Sequence, residues 1–205
     1  MIDKSNIIAG NYYDKQNTKN PIEKYLVKKF NHSFRSLLGL VKPRTVLEIG
    51  CAEGHTTKLI RDFYKGDTTV CGIDISPEII ETASRNYPEI EFSVQSACAL
   101  AFDGSSFDLV IASETLEHIK SPEKALAEAA RVGRQQFIFT VPNEPLWRIM
   151  NLCRLKYMKK LGNTPGHLHH WNSRSFSGLI SGKFVPVKIL KPVPYIQMLC
   201  ERRTE

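Results

Sequence analysis

Two carboxylates frame a glycine-spaced turn in this chain, and their spacing is that of a nucleoside-binding site. Glu48 lies near the end of a short apolar run, and Gly50 and Gly54 bracket the turn that follows. A second apolar run ends at Asp74. In a doubly wound α/β sheet the ligand lies across the first such turn, and the acid after the second strand accepts hydrogen bonds from the ribose hydroxyls. The residues therefore predict a bound nucleoside.

The spacing of the turn separates the candidate cofactors. The dinucleotide fingerprint G-x-G-x-x-G is absent, because Ala52 stands between Gly50 and Gly54. A P-loop is also absent, since no Gly-Lys-Ser/Thr follows the turn. The carboxylate of Glu53 would repel a pyrophosphate but not a sulfonium. The alternative to a ligand site is a tight strand–helix turn that binds nothing.

Together these residues resemble motif I of the class I S-adenosylmethionine (SAM)-dependent methyltransferases, and specifically methyltransferase type 11. Phe107–Val110 resembles the family's fourth strand, and Leu116–Ile119 resembles its "LEHI" segment. The resemblance covers residues 12 to 200 and is strongest from 45 to 142. Tyr13-Asp14-Lys15 and the later Gly166-His167 … His170-Trp171 also resemble a bacterial and archaeal subgroup.

The resemblance implies SAM as the cofactor and gives its binding residues. Glu48 orients the turn or the amino group of the cofactor, Asp74 binds both ribose hydroxyls, and Ile75 packs on the adenine. The full set of cofactor-binding residues that the resemblance implies is Glu48, Gly50, Cys51, Ala52, Gly54, Asp74, Ile75, Ser96, Ala97 and Glu114.

Two of these positions depart from the family pattern. The second glycine is Ala52, whose methyl group narrows the turn and disfavours a positive φ. The acid that usually faces the adenine amino group is Ser96, which accepts a hydrogen bond without the help of a charge. Both changes bear on cofactor affinity and not on the fold.

Side chains for the acceptor and for proton transfer come from two later segments. Methyl transfer needs no obligatory catalytic residue, because the cofactor supplies the electrophile. The candidates for acid–base catalysis are the imidazoles of His118, His167 and His170, and the carboxylate of Glu114 is a further candidate. Alternatively, His118 has a structural role in packing, and the other imidazoles form a hydrogen-bonded hinge. The candidates for acceptor binding are Trp147, His169 and Trp171. No metal site is expected, because the H-x-H-H spacing lacks a nearby second set of ligands.

The acceptor is expected to be a small molecule. Ser113-Glu114-Thr115-Leu116 stands where amino methyltransferases of nucleic acids need Asn/Asp-Pro-Pro-aromatic, and no Pro-Cys nucleophile is present. A role on nucleic acid is therefore disfavoured. Two alternatives stay open: a non-catalytic SAM-binding sensor or assembly subunit, which Ala52 and Ser96 would favour, and a nucleic-acid-associated methyltransferase, which the basic C-terminal region would favour.

Charge and cysteine content limit the possible partners and the cellular compartment. The net charge is +7, of which residues 1–142 carry −1 and residues 143–205 carry +8. This excess favours a solvated basic face or an anionic partner, such as an acidic acceptor. The five cysteines are scattered and form no C-x-x-C, which predicts a reduced protein. The sequence has no apolar signal core, which predicts a cytoplasmic location, and no 18-residue apolar stretch, which predicts no membrane span.

The order of elements predicts a single Rossmann-like α/β domain over residues 1–205. Strands and helices alternate as in a doubly wound parallel sheet. The family resemblance implies seven strands in the order 3-2-1-4-5-7-6, with the last strand antiparallel. A helix predicted over residues 145–161 and a turn-rich stretch break the alternation and predict a helical lid after strand five. The expected parts are an N-terminal helical segment (1–44), the SAM-binding core (45–142), the lid insertion (143–182) and the closing strands (183–205).

Overall fold

The chain is described by a computed structural model over residues 20–153, 157–158, 161–164 and 166–204. Within these residues, helices and strands alternate as predicted. The helices are α1 (Pro21–Leu38), α2 (His55–Tyr64), α3 (Pro77–Asn86), α4 (Pro122–Val132), α5 (Leu146–Cys153) and α6 (Ser173–Ile180). The strands are β1 (Thr45–Ile49), β2 (Thr69–Asp74), β3 (Glu91–Val94), β4 (Phe107–Ser113), β5 (Gly133–Pro142), β6 (Phe184–Leu190) and β7 (Tyr195–Arg202).

The seven strands form one sheet with the order β3-β2-β1-β4-β5-β7-β6, which confirms the predicted topology. The first five strands are parallel, and β7 pairs antiparallel with both β5 and β6. The carboxyl ends of β1, β2 and β4 therefore meet at one edge of the sheet. Ligands of open α/β sheets bind at this edge.

The sheet is covered on both faces because its central strands are apolar on both sides. Alternate residues of β4 belong to different cores: Val110 packs on one face and Leu109 on the other. The first core includes residues of α4 and α6, and the second includes residues of α1 and α2. This double burial holds the strand ends, and the turns that follow them, in fixed relative positions.

Helix starts follow the capping residues in the sequence. The Asn20 side chain accepts a hydrogen bond from the Ile22 N–H at 2.9 Å, and Ser76 Oγ accepts one from the Ile79 N–H at 3.3 Å. Helix α4 begins at Pro122 after Ser121, but the Ser121 side chain makes no capping hydrogen bond. Proline at the first helical position fixes φ and is sufficient to start this helix.

The helix predicted over residues 145–161 is shorter in the structure, because α5 is described over Leu146–Cys153 and Tyr157 lies in a bend with a φ of +55°. Leu161 and Gly162 form a turn, and the chain folds back on α5 there. The Asn151 side chain, which is buried, donates a hydrogen bond to the Gly162 carbonyl at 2.9 Å. This long-range contact, which helical periodicity cannot anticipate, fixes the return of the chain.

Among the residues that the structure describes, no helix is both long enough and apolar enough to cross a membrane.

Candidate functional site

The turn after β1 is tied to the end of β2 by backbone hydrogen bonds. The N–H groups of Gly50 and Cys51 both donate to the Ile73 carbonyl, at 2.8 and 2.9 Å. Gly50 has a φ of +73°, and a β-carbon there would lie 2.3 Å from the Thr115 methyl group. Both the positive φ and the lack of room for a β-carbon require glycine at residue 50. Because glycine has no side chain, a ligand can approach the backbone closely at this position.

The second half of the turn also uses left-handed backbone. Gly54 precedes α2 with a φ of +85°, and a β-carbon there would press on the rings of Phe92 and Tyr87. Ala52 has a φ of +46°. The strain expected from its methyl group is therefore present, at a cost of about 1–2 kcal/mol.

Glu48 lies beneath the turn and is almost completely buried, with 1% of its surface exposed. Its Oε2 accepts a hydrogen bond of 2.5 Å from the Thr57 hydroxyl of α2. Burial raises the pKa of Glu48 to about 8, the Thr57 hydrogen bond opposes this rise, and the charge of Asp74 adds to it. The two strand-end acids are thus electrostatically coupled.

Asp74 ends β2 and faces the turn. Its Oδ2 accepts a hydrogen bond from the Ala52 N–H at 3.2 Å, and its Oδ1 accepts one from the Ser76 N–H at 3.1 Å. Burial raises the pKa of Asp74, and the hydrogen bonds from backbone N–H groups oppose this rise. Each carboxylate oxygen has a second lone pair, so the group can still accept two hydroxyl hydrogen bonds. Ile75, the predicted adenine contact, is half-buried directly after it.

The predicted adenine-side residues lie in the turn after β3. The Gln95 N–H donates to the Asp74 carbonyl at 2.9 Å, which places this turn beside the end of β2. Ser96 Oγ accepts a hydrogen bond from the Cys98 N–H at 3.2 Å, and both Ser96 and Ala97 are partly buried. The hydroxyl of Ser96 is therefore already engaged in shaping its own turn.

Thr115 is a site residue that sequence reasoning missed. Its Oγ1 lies 3.2 Å from the Ile49 carbonyl and 3.0 Å from the Ser113 carbonyl, so it joins the loop after β4 to the end of β1. The neighbouring Glu114 has a φ of +53°, and its Oε1 accepts a hydrogen bond from the Thr140 hydroxyl at 3.1 Å. In the sequence this stretch gave Glu114 as a candidate residue and showed that a base-methylating motif is absent, but no signal pointed to Thr115.

Of the histidines predicted to assist proton transfer, the structure brings His118 and His167 together. The N–H of Leu168 donates to the Glu117 carbonyl at 2.8 Å, and His118 Nδ1 lies 3.0 Å from the Gly166 carbonyl. These bonds hold the histidine-rich segment on the 3-10 turn Leu116–His118, and the two imidazole rings lie 5.0 Å apart, edge to face.

Trp147 completes this group from α5. Its ring is stacked against His167 at 6.0 Å, and its Nε1 donates to the Thr164 hydroxyl at 2.9 Å. Both Trp147 and His167 are buried. An aromatic and imidazole wall thus stands beside the loop that follows β4.

The other two imidazoles of the segment point elsewhere. His169 is stacked on Trp171 at 5.2 Å, and its Nε2 lies 3.0 Å from the Ile119 carbonyl. His170 is exposed and its Nε2 contacts the Asn163 side chain at 2.8 Å. Partial burial lowers the pKa of His170, and the charges of Arg148 and His169 lower it further. The histidines predicted as one cluster are therefore divided between three environments.

Some sequence-based predictions fall outside the described residues. They concern Tyr13, Asp14 and Lys15 near the N-terminus, and residues 154–156, 159–160 and 165 of the expected lid.

Comparison with known proteins identifies the family of the core. Residues 47–140 match the family model described as a methyltransferase domain. A malonyl-[acyl-carrier protein] O-methyltransferase of Anoxybacillus flavithermus is 31% identical over 119 residues, which are 55% of this chain and 44% of that protein. A ubiquinone biosynthesis O-methyltransferase of Xanthomonas oryzae is 25% identical over 178 residues, which are 83% of this chain and 72% of that protein.

A solved structure of similar fold covers nearly the whole chain. It is the magnesium protoporphyrin IX methyltransferase of Synechocystis PCC 6803 with bound SAH, which is 16% identical, has a TM-score of 0.66, and aligns over 91% of this chain and 89% of its own. This likeness concerns the fold. The chain spans less than half the length of several of the curated relatives it matches.

Proposed function

Because residues 47–140 match the methyltransferase domain family, we propose that the chain is a class I SAM-dependent methyltransferase and that it transfers a methyl group from SAM to a small-molecule acceptor. One observation carries this proposal: two strand-end acids, the buried Glu48 and the half-buried Asp74, flank a left-handed glycine turn at the carboxyl edge of the sheet. Two of the curated relatives, the malonyl-[acyl-carrier protein] O-methyltransferase and the ubiquinone biosynthesis O-methyltransferase, support the same reaction class.

The cofactor would lie across the ends of β1, β2 and β4. In this proposal the turn Gly50–Gly54 holds the methionine part, and Glu48 beneath it faces the amino group. Asp74 accepts the two ribose hydroxyls, while Ile75, Ser96 and Ala97 contact the adenine. Glu114 lies on the loop after β4, on the side from which the acceptor would approach.

Bound SAM supplies an electrophilic methyl group on a sulfonium, and the protein's contribution is to bind, orient and exclude water. The acceptor would lie against Trp147, His118 and His167, since these side chains stand beside the loop that contacts Gly50 through Thr115. The acceptor atom displaces S-adenosylhomocysteine in line and loses its proton. Residues 143–182 would serve as the lid that closes over this acceptor.

The net charge of +8 over residues 143–205 supports an acceptor that carries a carboxylate or phosphate. The same charge is the only support for nucleic acid, and the loop Ser113–Leu116 lacks the residues that grip a base. The rival role of a non-catalytic sensor rests on Ala52 and Ser96 alone. Five unpaired cysteines support a reducing compartment, which we take to be the cytoplasm.

The test of this proposal is calorimetric titration with S-adenosylhomocysteine, followed by methyl transfer from labelled SAM into fractionated cell extract. Asp74→Ala removes an acceptor of two ribose hydrogen bonds, each worth about 1.5–3 kcal/mol, so affinity should fall at least about a hundredfold. Asp108→Ala is the matched control, because that carboxylate accepts backbone hydrogen bonds from Arg44 and Thr45 at the opposite edge of the sheet. Unchanged affinity in Asp74→Ala would refute the site. Binding without any labelled product would favour the sensor.

A further inference from the structure

We propose that Glu117, His118 and His167 bind one divalent transition-metal ion of the zinc type. One possible ligand atom of each residue lies within 4.8 Å of the other two. Two imidazole nitrogens and one carboxylate oxygen are the protein ligands of a common type of catalytic zinc site. The three residues come from two segments, the 3-10 turn after β4 and the loop before α6, that are 49 residues apart in the chain.

The distances allow an ion with modest side-chain adjustment. With metal–ligand bonds of about 2.1 Å, the ligand atoms of a tetrahedral ion lie roughly 3.4 Å apart. The observed limit of 4.8 Å therefore requires the side chains to close by no more than roughly 1.4 Å. All three side chains have rotatable bonds that permit this without moving the sheet.

The hydrogen bond of His118 determines which of its two nitrogens carries the proton. Its Nδ1 lies 3.0 Å from the Gly166 carbonyl, which can only accept, so Nδ1 carries the proton. In a neutral imidazole, Nε2 then keeps its lone pair. Imidazoles that bind metals usually donate their other N–H to a carbonyl or carboxylate in this way.

The surroundings of the three residues hold them in place. The N–H groups of Leu168 and His169 both donate to the Glu117 carbonyl, which fastens the two segments together. The ring of Trp147 covers His167. Glu117 is 1% exposed and His167 is 9% exposed, and a carboxylate this deeply buried is stabilised by a nearby cation.

His118, in contrast, is exposed, so the ion would be open to solvent on one side. An open position of this kind is typical of catalytic sites, since structural zinc is closed by four protein ligands. The mixed nitrogen and oxygen ligands disfavour Mg²⁺ and Ca²⁺, which prefer oxygen. Zn²⁺ is therefore the first ion to test, with Co²⁺ as its spectroscopic substitute.

The role of the ion rests on the proposed function. Glu117 lies two residues after Thr115, whose side chain contacts the Gly50 carbonyl, so the ion would stand beside the cofactor turn. A hydroxyl acceptor bound to the ion would ionise near neutral pH, as metal-bound water does. Its proton would leave to solvent, its oxygen would form the bond to the methyl carbon, and the sulfonium–methyl bond would break. The geometry thus points to acceptors with a hydroxyl or enol.

Metal binding can be measured on the full chain without any acceptor. Protein stripped with a chelator is titrated with Co²⁺, and the visible absorption of the bound ion is followed; Zn²⁺ should displace it at one ion per chain. His167→Gln and Glu117→Gln should each weaken Co²⁺ binding at least tenfold. His118→Ala should weaken Co²⁺ binding by the same factor. Because the His118 side chain is exposed, this variant keeps the core intact and can be measured even if the variants at the two buried positions do not fold. His170→Gln is the matched control, because it removes an imidazole of the same segment that contacts Asn163 instead.

A stoichiometric cobalt spectrum that is lost in His118→Ala and kept in His170→Gln would support the site. Absence of the spectrum, or equal weakening in His170→Gln, would overturn it. Titration with S-adenosylhomocysteine is done separately on the metal-free protein. Cofactor binding without metal binding would reject the metal alone, and metal binding without cofactor binding would reject the proposed function alone.

Discussion

The side chain of Thr115 fills the space that a β-carbon on residue 50 would need. Its Cγ2 lies 2.3 Å and its Oγ1 2.5 Å from that position, and Gly50 also has a φ of +73°. The loop after β4 and the turn after β1 are therefore packed against each other with no room for a methyl group between them. This contact connects the proposed cofactor turn to the proposed acceptor side.

Gly50→Ala should consequently destabilise the protein by about 3 kcal/mol, which combines left-handed strain with a steric clash. In a Thr115→Ala background the same change should cost only about 1–2 kcal/mol, because the strain remains and most of the clash is removed. Denaturant unfolding of the four proteins of this cycle measures the coupling. Additive effects of the two substitutions would contradict the described contact.

The Gly50 turn itself was predictable, because its signals are local. The acid, the two glycines and the first residue of the following helix all lie within a few residues of one another in the sequence. The capping residues Asn20 and Ser76 are likewise recognised from their immediate neighbours in the sequence. The strand order came from the resemblance, and the structure confirms it.

The acceptor side could not be predicted in the same way. His118 and His167 meet through loop hydrogen bonds between segments 49 residues apart, and no periodicity encodes such a contact. The spacing of His167, His169 and His170 suggests one cluster, but the stretch 167–170 is neither helix nor strand. There His167 is stacked on Trp147, His169 is stacked on Trp171, and His170 contacts Asn163. The return of the chain at Gly162 likewise depends on Asn151, a tertiary contact.

Glu48 gives a prediction about pH. Burial raises its pKa from an ordinary value of 4.5 to about 8, so between these values the folded state holds a proton that the unfolded chain releases. The free energy of unfolding should therefore fall as the pH rises from 5 to 8, by up to about 1.4 kcal/mol per pH unit, and this contribution should level off above pH 8. Glu48→Gln is neutral in both states and can keep the hydrogen bond from Thr57.

The measurement compares denaturant unfolding of the wild type and Glu48→Gln at pH 5.5, 6.5, 7.5 and 8.5. The wild type should lose stability relative to the variant across this series, while contributions from titrating groups that do not interact with Glu48 cancel. Parallel curves for the two proteins would mean that Glu48 is ionised throughout and that burial does not dominate its pKa.

Ser96→Asp tests whether the departure at this position weakens cofactor binding. An aspartate has two oxygens, so one can keep the hydrogen bond from the Cys98 N–H while the other faces the adenine amino group. The added charge assistance is worth about 1 kcal/mol, so affinity for S-adenosylhomocysteine should stay the same or rise about fivefold. Ala99→Asp places the same charge at an exposed position of the same turn. It controls for the long-range electrostatic effect of one added negative charge. A large loss of affinity in Ser96→Asp alone would mean that adenine does not bind there.

The last prediction concerns the proposed lid, for which hydrogen exchange is the direct measurement. Scattered bonds fasten the segment 166–172 to its surroundings. Two N–H groups donate to the Glu117 carbonyl, the Glu144 N–H donates to the Trp171 carbonyl, and the rings of His118 and His169 contact the Gly166 and Ile119 carbonyls. The central strands β1 and β4, in contrast, are paired on both sides. Local opening costs less where fewer buried bonds must break, so amides of 166–172 should exchange well before those of β1 and β4.

A single substitution separates a lid from a fixed element of the core. His169→Ala removes the imidazole that contacts the Ile119 carbonyl and stacks on Trp171, so exchange at Leu168 should accelerate about tenfold while β1 and β4 stay unchanged. His170→Ala, which loses only an exposed contact with Asn163, should leave exchange at Leu168 as it is. If the segment exchanges as slowly as β4, or if His169→Ala accelerates exchange in the strands by the same factor, then the segment opens only with global unfolding and cannot act as a lid.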